Sequence, residues 1–337
     1  MSNASKRQSN IELCRLLSIL LVMLVHTTNQ SLGNDMSLGV LMLEGFSIVG
    51  VNVFILITGY FSTVPKKTSL FNLAFICLFW MVIKVICRFA FNEPITFKHL
   101  FFITSSNWFI SSYIGLLFLT PILNLFCNTV SKKTLWNCVL LLLFIEIWFD
   151  WLPPRPAAKI GANNGYSVLS FAILYLLARA IRLYGLPSWF KKISPLVYVG
   201  CSLTLGFAAY FGTMMGLYVI ILCFSYINPL VLLSSIAFLT MFEQMHFQSR
   251  FINYIAKSTL AVLLGHSAIF FIYTKQFKFL YDNYSGVQVI AYWSLAILIV
   301  FCASIAIDQL RILLFRPLEQ LINKRIKNNL IFEQIIV

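Results

Sequence analysis

The chain is short of charge. Only 11% of its 337 residues are Asp, Glu, Lys or Arg, and the acidic residues number 11 against 25 basic ones. A soluble folded surface carries about 25% charged residues to stay wetted, so a soluble globular domain is excluded. Glycine (15) and proline (10) are too scarce for a flexible linker or a collagen-like repeat, and no period of solenoid length is visible. The eight cysteines include no C-x-x-C pair, which removes the usual thiolate metal and dithiol redox sites. They lie inside or at the edges of apolar runs, where buried free thiols are expected.

What fills the chain is apolar: 60% of residues are hydrophobic and 16% aromatic, and the mean hydropathy is +0.86. A helix of about 20 apolar residues crosses roughly 30 Å of hydrocarbon. Runs of that kind recur at about 11–31, 41–62, 70–90, 106–127, 134–152, 164–183, 194–211, 216–241, 258–274 and 287–310. The expected fold is therefore all-α, a polytopic membrane bundle of about ten transmembrane helices. Around Gly212 to Gly216 a very short turn separates two runs, and a kink in one long helix is the other reading there. The expected organisation is an N-terminal segment 1–10, a transmembrane domain 11–310 and a basic tail 311–337.

A net charge of +14 would suit nucleic acid, but the distribution argues otherwise. Seventeen of the 25 Lys and Arg fall on the side of the N-terminus. Lys98, Arg155, Lys159, Lys275 and Lys278 fall opposite, and Arg15, Lys84 and Arg88 lie within spans. That asymmetry places both termini in the cytoplasm, facing anionic lipid, and no nucleic-acid partner is implied. The opening MSNASKRQSN precedes an apolar run too long for a signal-peptide core and without an A-x-A-like cleavage site, so the first helix is expected to be retained. No external loop exceeds about 15 residues on these spans, so chemistry belongs within the bundle or at its rim.

An ionisable side chain within a span costs about 2.5–3.5 kcal/mol on insertion scales, so the few present here carry information. Arg15 and His26 are eleven residues apart. At 100° per residue that is about 20° from three full turns, with a rise of about 16 Å, so the two share a helix face. They fit two stations on one wall of a channel; they also fit an arginine snorkelling to the interface and a histidine marking the helix end. Glu146, set within Leu141-Leu142-Leu143-Phe144-Ile145 and Ile147-Trp148-Phe149, fits either a catalytic carboxylate or an interhelical hydrogen bond. His266, about eight residues into its span, fits a cavity wall or an interhelical bond equally well. His99 and His246 lie in or beside loops.

Several segments resemble acyltransferase family three, the integral-membrane acyltransferases of bacterial surface sugars. They are the R-x10-H of the first helix, Gly50-Val51-Asn52-Val53-Phe54-Ile55-Leu56-Ile57-Thr58-Gly59-Tyr60-Phe61, then Asn107-Trp108-Phe109 with Tyr113 and Leu119-Thr120-Pro121, and Ser258 through His266. The resemblance runs from about residue 10 to 310. It implies transfer of an acyl group, usually acetyl from acetyl-coenzyme A as donor substrate, to a hydroxyl of a glycan or glycolipid in the cytoplasmic membrane, with no tightly bound cofactor and no metal. His26 stands where the family's essential histidine stands, and Arg15 where its essential basic residue stands. The chain departs from the family at Lys66-Lys67, where many members carry R-x-x-R, at Asn107, where many have histidine, and at Gly265.

On this reading His26 is the general base, since imidazole titrates near neutrality, and Glu146 is a carboxylate able to fix its tautomer. Asn52, Thr58, Asn107 and Trp108, with Tyr113 and His266, are candidates for the acceptor or oxyanion site. Arg15 leads the expected contacts to the donor's phosphates because of its bidentate fork. Arg179, Arg182, Lys66 and Lys67 could add to that patch, or serve topology alone. A secondary transporter or glycan flippase with an Arg/His/Glu path is the competing expectation; a glycan polymerase fits less well for want of a large external loop.

Overall fold

The computed structural model describes residues 7–32, 37–100, 107–152, 160–217 and 219–325, and its regular elements are all helical. Lys6, Arg155, Lys159 and Lys327, which entered the charge asymmetry, lie outside the described residues. Helix α1 (Ser9–Val25) passes directly into a π-helical turn, His26–Ser31, and is followed by α2 (Leu38–Ser47), α3 (Gly50–Tyr60), α4 (Lys67–Ala90), α5 (Trp108–Thr129) and α6 (Lys132–Glu146). A second π-helical turn, Ile147–Trp151, continues α6. Then come α7 (Val168–Tyr184), α8 (Ser188–Met214), the single turn α9 (Ile220–Cys223), α10 (Pro229–Glu243), α11 (Arg250–Ile255), α12 (Thr259–Ala268), α13 (Phe270–Asn283) and α14 (Val287–Arg325).

Among the described residues seven helical stretches are long and apolar enough to cross a bilayer: Ser9–Thr28, Leu38–Tyr60, Lys67–Ala90, Trp108–Thr129, Lys132–Trp151, Ser188–Met214 and Val287–Leu318. An eighth is added if Arg250–Ala268 and Phe270–Asn283, bent by 74° at the break between them, count as one. The two other runs expected from the sequence are shorter helices. α7 has 17 residues and α10 has 15, about 25 and 22 Å of rise. The doubtful segment near Gly216 is a true break. α8 ends at Met214, Gly216 adopts φ +75°, and a left-handed residue cannot continue an α-helix. The expected run 216–241 is then interrupted again, because Asn228 caps α10 by accepting from the Leu230 N–H and Pro229 occupies the first helical turn, both start signals.

The chain forms two compact units. The first comprises residues 1–57, 186–263 and 274–305. Its tightest helix crossing is α2 on α8, where small residues let backbones meet: a Cβ added to Gly45 would lie 2.5 Å from the Ser202 carbonyl oxygen, and one added to Gly206 2.7 Å from Met42 Sδ. Spacing Ser202-x-x-x-Gly206 is the small-residue pattern of membrane helix pairs. Tyr198 Oη donates to the Phe46 carbonyl beside it at 2.8 Å. The start of α1 is tied to the α10 and α11 ends, with Asn10 Nδ2 donating to Phe242 O at 2.9 Å and the Ser249 N–H donating to Ser9 Oγ at 2.9 Å.

The second unit comprises residues 58–185, 264–273 and 306–337. α7 is its buried centre, every residue from Ser170 to Ile181 being buried. Gly59 allows the α3 backbone to meet α7, since a Cβ there would stand 2.6 Å from Tyr175 O. Tyr175 Oη in turn donates to Asn124 Oδ1 at 2.7 Å. Arg311, counted from the sequence as a cytoplasmic charge, is buried on α14, with Nε 2.8 Å from Asp308 Oδ1 and exposures of 7% and 1% for the two residues.

Candidate active site

In the first unit the site is built on α1. Ile11, Glu12, Ser18, Ile19 and Val22, which lie within about 60° of Arg15 around the helix, are all between 0 and 6% exposed. Leu13, Leu17, Leu20 and Leu24, on the opposite side, are only half-buried. Arg15 and His26 therefore project from the face that α1 turns toward protein. Gly50, the first residue of α3, explains how that face is covered: a Cβ on it would lie 2.7 Å from Ser18 O and 2.9 Å from Val22 Cγ2. The opening glycine of the Gly50–Phe61 motif is thus a close-approach residue beside the Arg15 to His26 stripe.

Arg15 is held by Glu12, one turn earlier, through Nη1 at 2.7 Å from Oε2, and Arg7 reaches the other carboxylate oxygen at 3.4 Å. Two cations around one buried acid leave a net positive cluster at the start of α1, with Arg15 oriented by a charge-assisted bond. The sequence pointed to Arg15 but left Glu12 without a role; an acid three residues before an arginine was the available signal. His26 is half-buried and opens the π-helical turn. Asn52 is buried, with Nδ2 donating to Tyr226 O at 2.8 Å and Oδ1 left without a partner. One of its two amide hydrogens is spent on tethering the turn before α10.

In the second unit the tryptophan segment forms an aromatic cluster. Trp108 lies 4.4 Å from Tyr166 and 6.0 Å from Phe171, and Tyr113 stacks on Phe109 at 5.8 Å, measured between ring centroids. Asn107 caps α5, its Oδ1 accepting from the Phe109 and Ile110 N–H groups at 3.1 and 3.4 Å. It also borders a cavity of about 20 Å³ with Trp80, Lys84 and Ser267, room for about one water; the Trp80 indole N–H is buried without a partner. Thr58 is buried, and its carbonyl accepts from Thr63 Oγ1 at 3.1 Å. His266 is fully buried near the end of α12, its ring 6.1 Å from Tyr273, just before the bend at Ile269.

Glu146 is the last residue of α6 and is buried; Ser170 Oγ on α7 donates to its Oε1. The structure thus supplies the interhelical bond that was one of its two expected roles. Arg179 is buried, with Nη2 3.4 Å from Asn128 Oδ1 and Nε unpartnered. Arg182 is exposed, donates through Nη1 to Tyr60 Oη at 2.6 Å and sits over that ring. Lys66 and Lys67 are exposed at the start of α4. His99 accepts at Nδ1 from the Thr96 N–H at 2.9 Å; partial burial, then Arg88 and Lys84, hold its pKa below the usual histidine range. Ser170, Tyr60 and Asn128 had no motif to announce them, being polar partners reached only through helix packing.

Among the described residues no group of three or more His, Cys, Asp or Glu is placed to hold a metal ion, and all eight cysteines are free. Neither a curated protein nor a solved structure matches the chain. A family model described as an acyltransferase domain matches residues 8–309, about nine-tenths of the length and every helix from α1 into α14. With the buried Arg15 and His26 stripe and long apolar helices, that match establishes that the chain belongs to acyltransferase family three, as a multi-pass protein of the bacterial inner membrane.

Proposed function

We propose that the protein takes an acetyl group from acetyl-coenzyme A on the cytoplasmic side and transfers it to a hydroxyl of a surface-glycan or glycolipid precursor. The observation that carries this reading is the placement of Arg15 and His26 on the buried face of α1, about 16 Å apart along the axis. In this reading the Arg15 cluster faces the donor's phosphates, and the thioester extends toward His26. The imidazole accepts the acceptor's hydroxyl proton as the oxygen attacks the thioester carbonyl. Collapse of the tetrahedral intermediate forms the ester and releases the coenzyme A thiolate, which takes up a proton. Donor groups aimed at the developing oxyanion would stabilise it, and Asn52, Thr58, Asn107, Trp108, Tyr113 and His266 remain the candidates. Glu146 serves as the carboxylate of the site, with Ser170 as its hydrogen-bond partner. Arg179, Arg182, Lys66 and Lys67 extend the basic mouth.

The same reading takes all ten apolar runs as spans, with α7 and α10 as short crossings and both termini in the cytoplasm. Incubating the purified protein with labelled acetyl-coenzyme A and a glycan acceptor tests it. Donor-dependent label on the glycan is expected from the wild type, and none from His26→Ala inserted at normal abundance. Glycan acetylation retained in that variant removes His26 as the base.

A further inference from the structure

The first unit contains an apolar groove of about 640 Å³ that the acyl-transfer reading does not use. It is built from the side of α1 that carries Leu24, the start of α2, and the turn between α13 and α14 with the first three turns of α14. Its polarity is graded. Ser37, Tyr284 and Ser285 border it at helix ends, whereas Leu43, Trp293 and Ile297 border it farther in. Ile297 lies about 15 Å along α14 from Val287, so the apolar stretch is long as well as recessed; Trp293 and Ile297 are each only 6% exposed. The Trp293 indole N–H is satisfied by Phe277 O at 3.2 Å, which leaves its apolar ring as wall. Tyrosines at the mouth, Tyr284 packing on Tyr292 at 4.5 Å, have the amphipathic chemistry of side chains at a membrane interface.

We propose that this groove holds the hydrocarbon chain of an amphiphilic, hydroxyl-bearing acceptor, so that the acceptor is a glycolipid bound by its tail. A graded groove with hydroxyl groups at one end and hydrocarbon walls at the other matches an amphiphile, and its volume is that of a small-molecule site. Leu24 precedes His26 by two residues, about 3 Å of rise, but stands about 200° around α1 from it. The tail therefore lies on one side of α1, and the head group passes over the helix end, across the polar turn 26–31, to reach the imidazole. This proposal rests on the acyl-transfer reading for its catalytic consequence, but binding of the tail can be measured without turnover.

Gly39 supplies the test, because it borders the groove on α2 and a Cβ built there meets nothing within 4 Å. Gly39→Phe should fill the groove without forcing helices apart, and Gly39→Ala should leave it open. The probe is an alkyl glucoside carrying a mid-chain diazirine, photolysed with the full-length protein in nanodiscs and mapped by peptide mass spectrometry. Labelling is expected on residues 37–43 and 281–297, retained in Gly39→Ala and reduced at least tenfold in Gly39→Phe. It should be competed by unlabelled alkyl glucoside and not by glucose or phosphatidylglycerol. Labelling unaffected by Gly39→Phe, or competed equally by phosphatidylglycerol, overturns the proposal, the second result marking a recess for bulk lipid. In turnover, Gly39→Phe should raise KM for a tailed acceptor about tenfold and leave a tail-less one unchanged; equal loss on both also overturns it. Absence of acetyl transfer by the wild type to either acceptor would instead remove the catalytic reading, while the labelling result stands on its own.

Discussion

Arg15 does two jobs at once in this chain, and they can be separated. It neutralises Glu12, which is nearly buried, and it is the cation expected to meet the donor's phosphates. Arg15→Ala leaves Glu12 with Arg7 alone, at 3.4 Å, and should cost about 1–3 kcal/mol of stability, the range for stranding a buried polar group. It should also raise KM for acetyl-coenzyme A about tenfold. Adding Glu12→Gln removes the stranded charge, so the double variant should melt near the wild type while KM stays high. Thermal melts and donor kinetics on the three variants check this; recovery of KM together with stability would assign Arg15 a purely structural role. The spacing of Arg15 and His26 was readable because both lie on one uninterrupted α-helix, where angle follows from residue count. Ser170, by contrast, meets Glu146 across two helices, a contact that no local pattern encodes.

Between helices, small residues and buried charges set the tolerances. Gly206→Leu must push α8 away from Met42, whose Cα is already 3.0 Å from the position of an added Cβ, and should destabilise the purified protein by about 1–3 kcal/mol. Gly200→Leu, on the same helix with nothing within 4 Å, should melt at the wild-type temperature or slightly above it, since leucine favours helix over glycine. On α14, Arg311→Met strands Asp308, whose second oxygen already lacks a partner, and should cost about 3–5 kcal/mol. Pairing it with Asp308→Asn should recover most of that loss in thermal melts. These pairs also show where sequence reading reached its limit. Arg311 lies past the apolar run ending near residue 310, so it read as a loop charge, yet α14 continues unbroken to Arg325 and folds the side chain inward.

At the scale of the whole chain, the number of crossings decides which side each end occupies. Seven spans put the termini on opposite faces, whereas eight or ten return both to the same one. Tags on each end, probed with protease in intact spheroplasts and after lysis, should both be cut only after lysis. An externally cut C-terminus would select an odd count. Helix positions were legible because apolar runs of spanning length are rare outside membranes, but the interruption of 216–241 depended on the backbone at Gly216 and the cap at Asn228, which hydropathy averages away. The two wide turns carry a consequence of their own. His26 opens one, and Glu146 immediately precedes the other. Windings of this sort, with bonds reaching five residues back, are known mostly as isolated bulges near working sites. Each can be viewed as a regular helix into which one surplus residue has been threaded. Excising a single residue from 27–31 would let ordinary winding resume there and swing whatever follows by about 100°, so that segment should accept substitutions far more readily than changes in length.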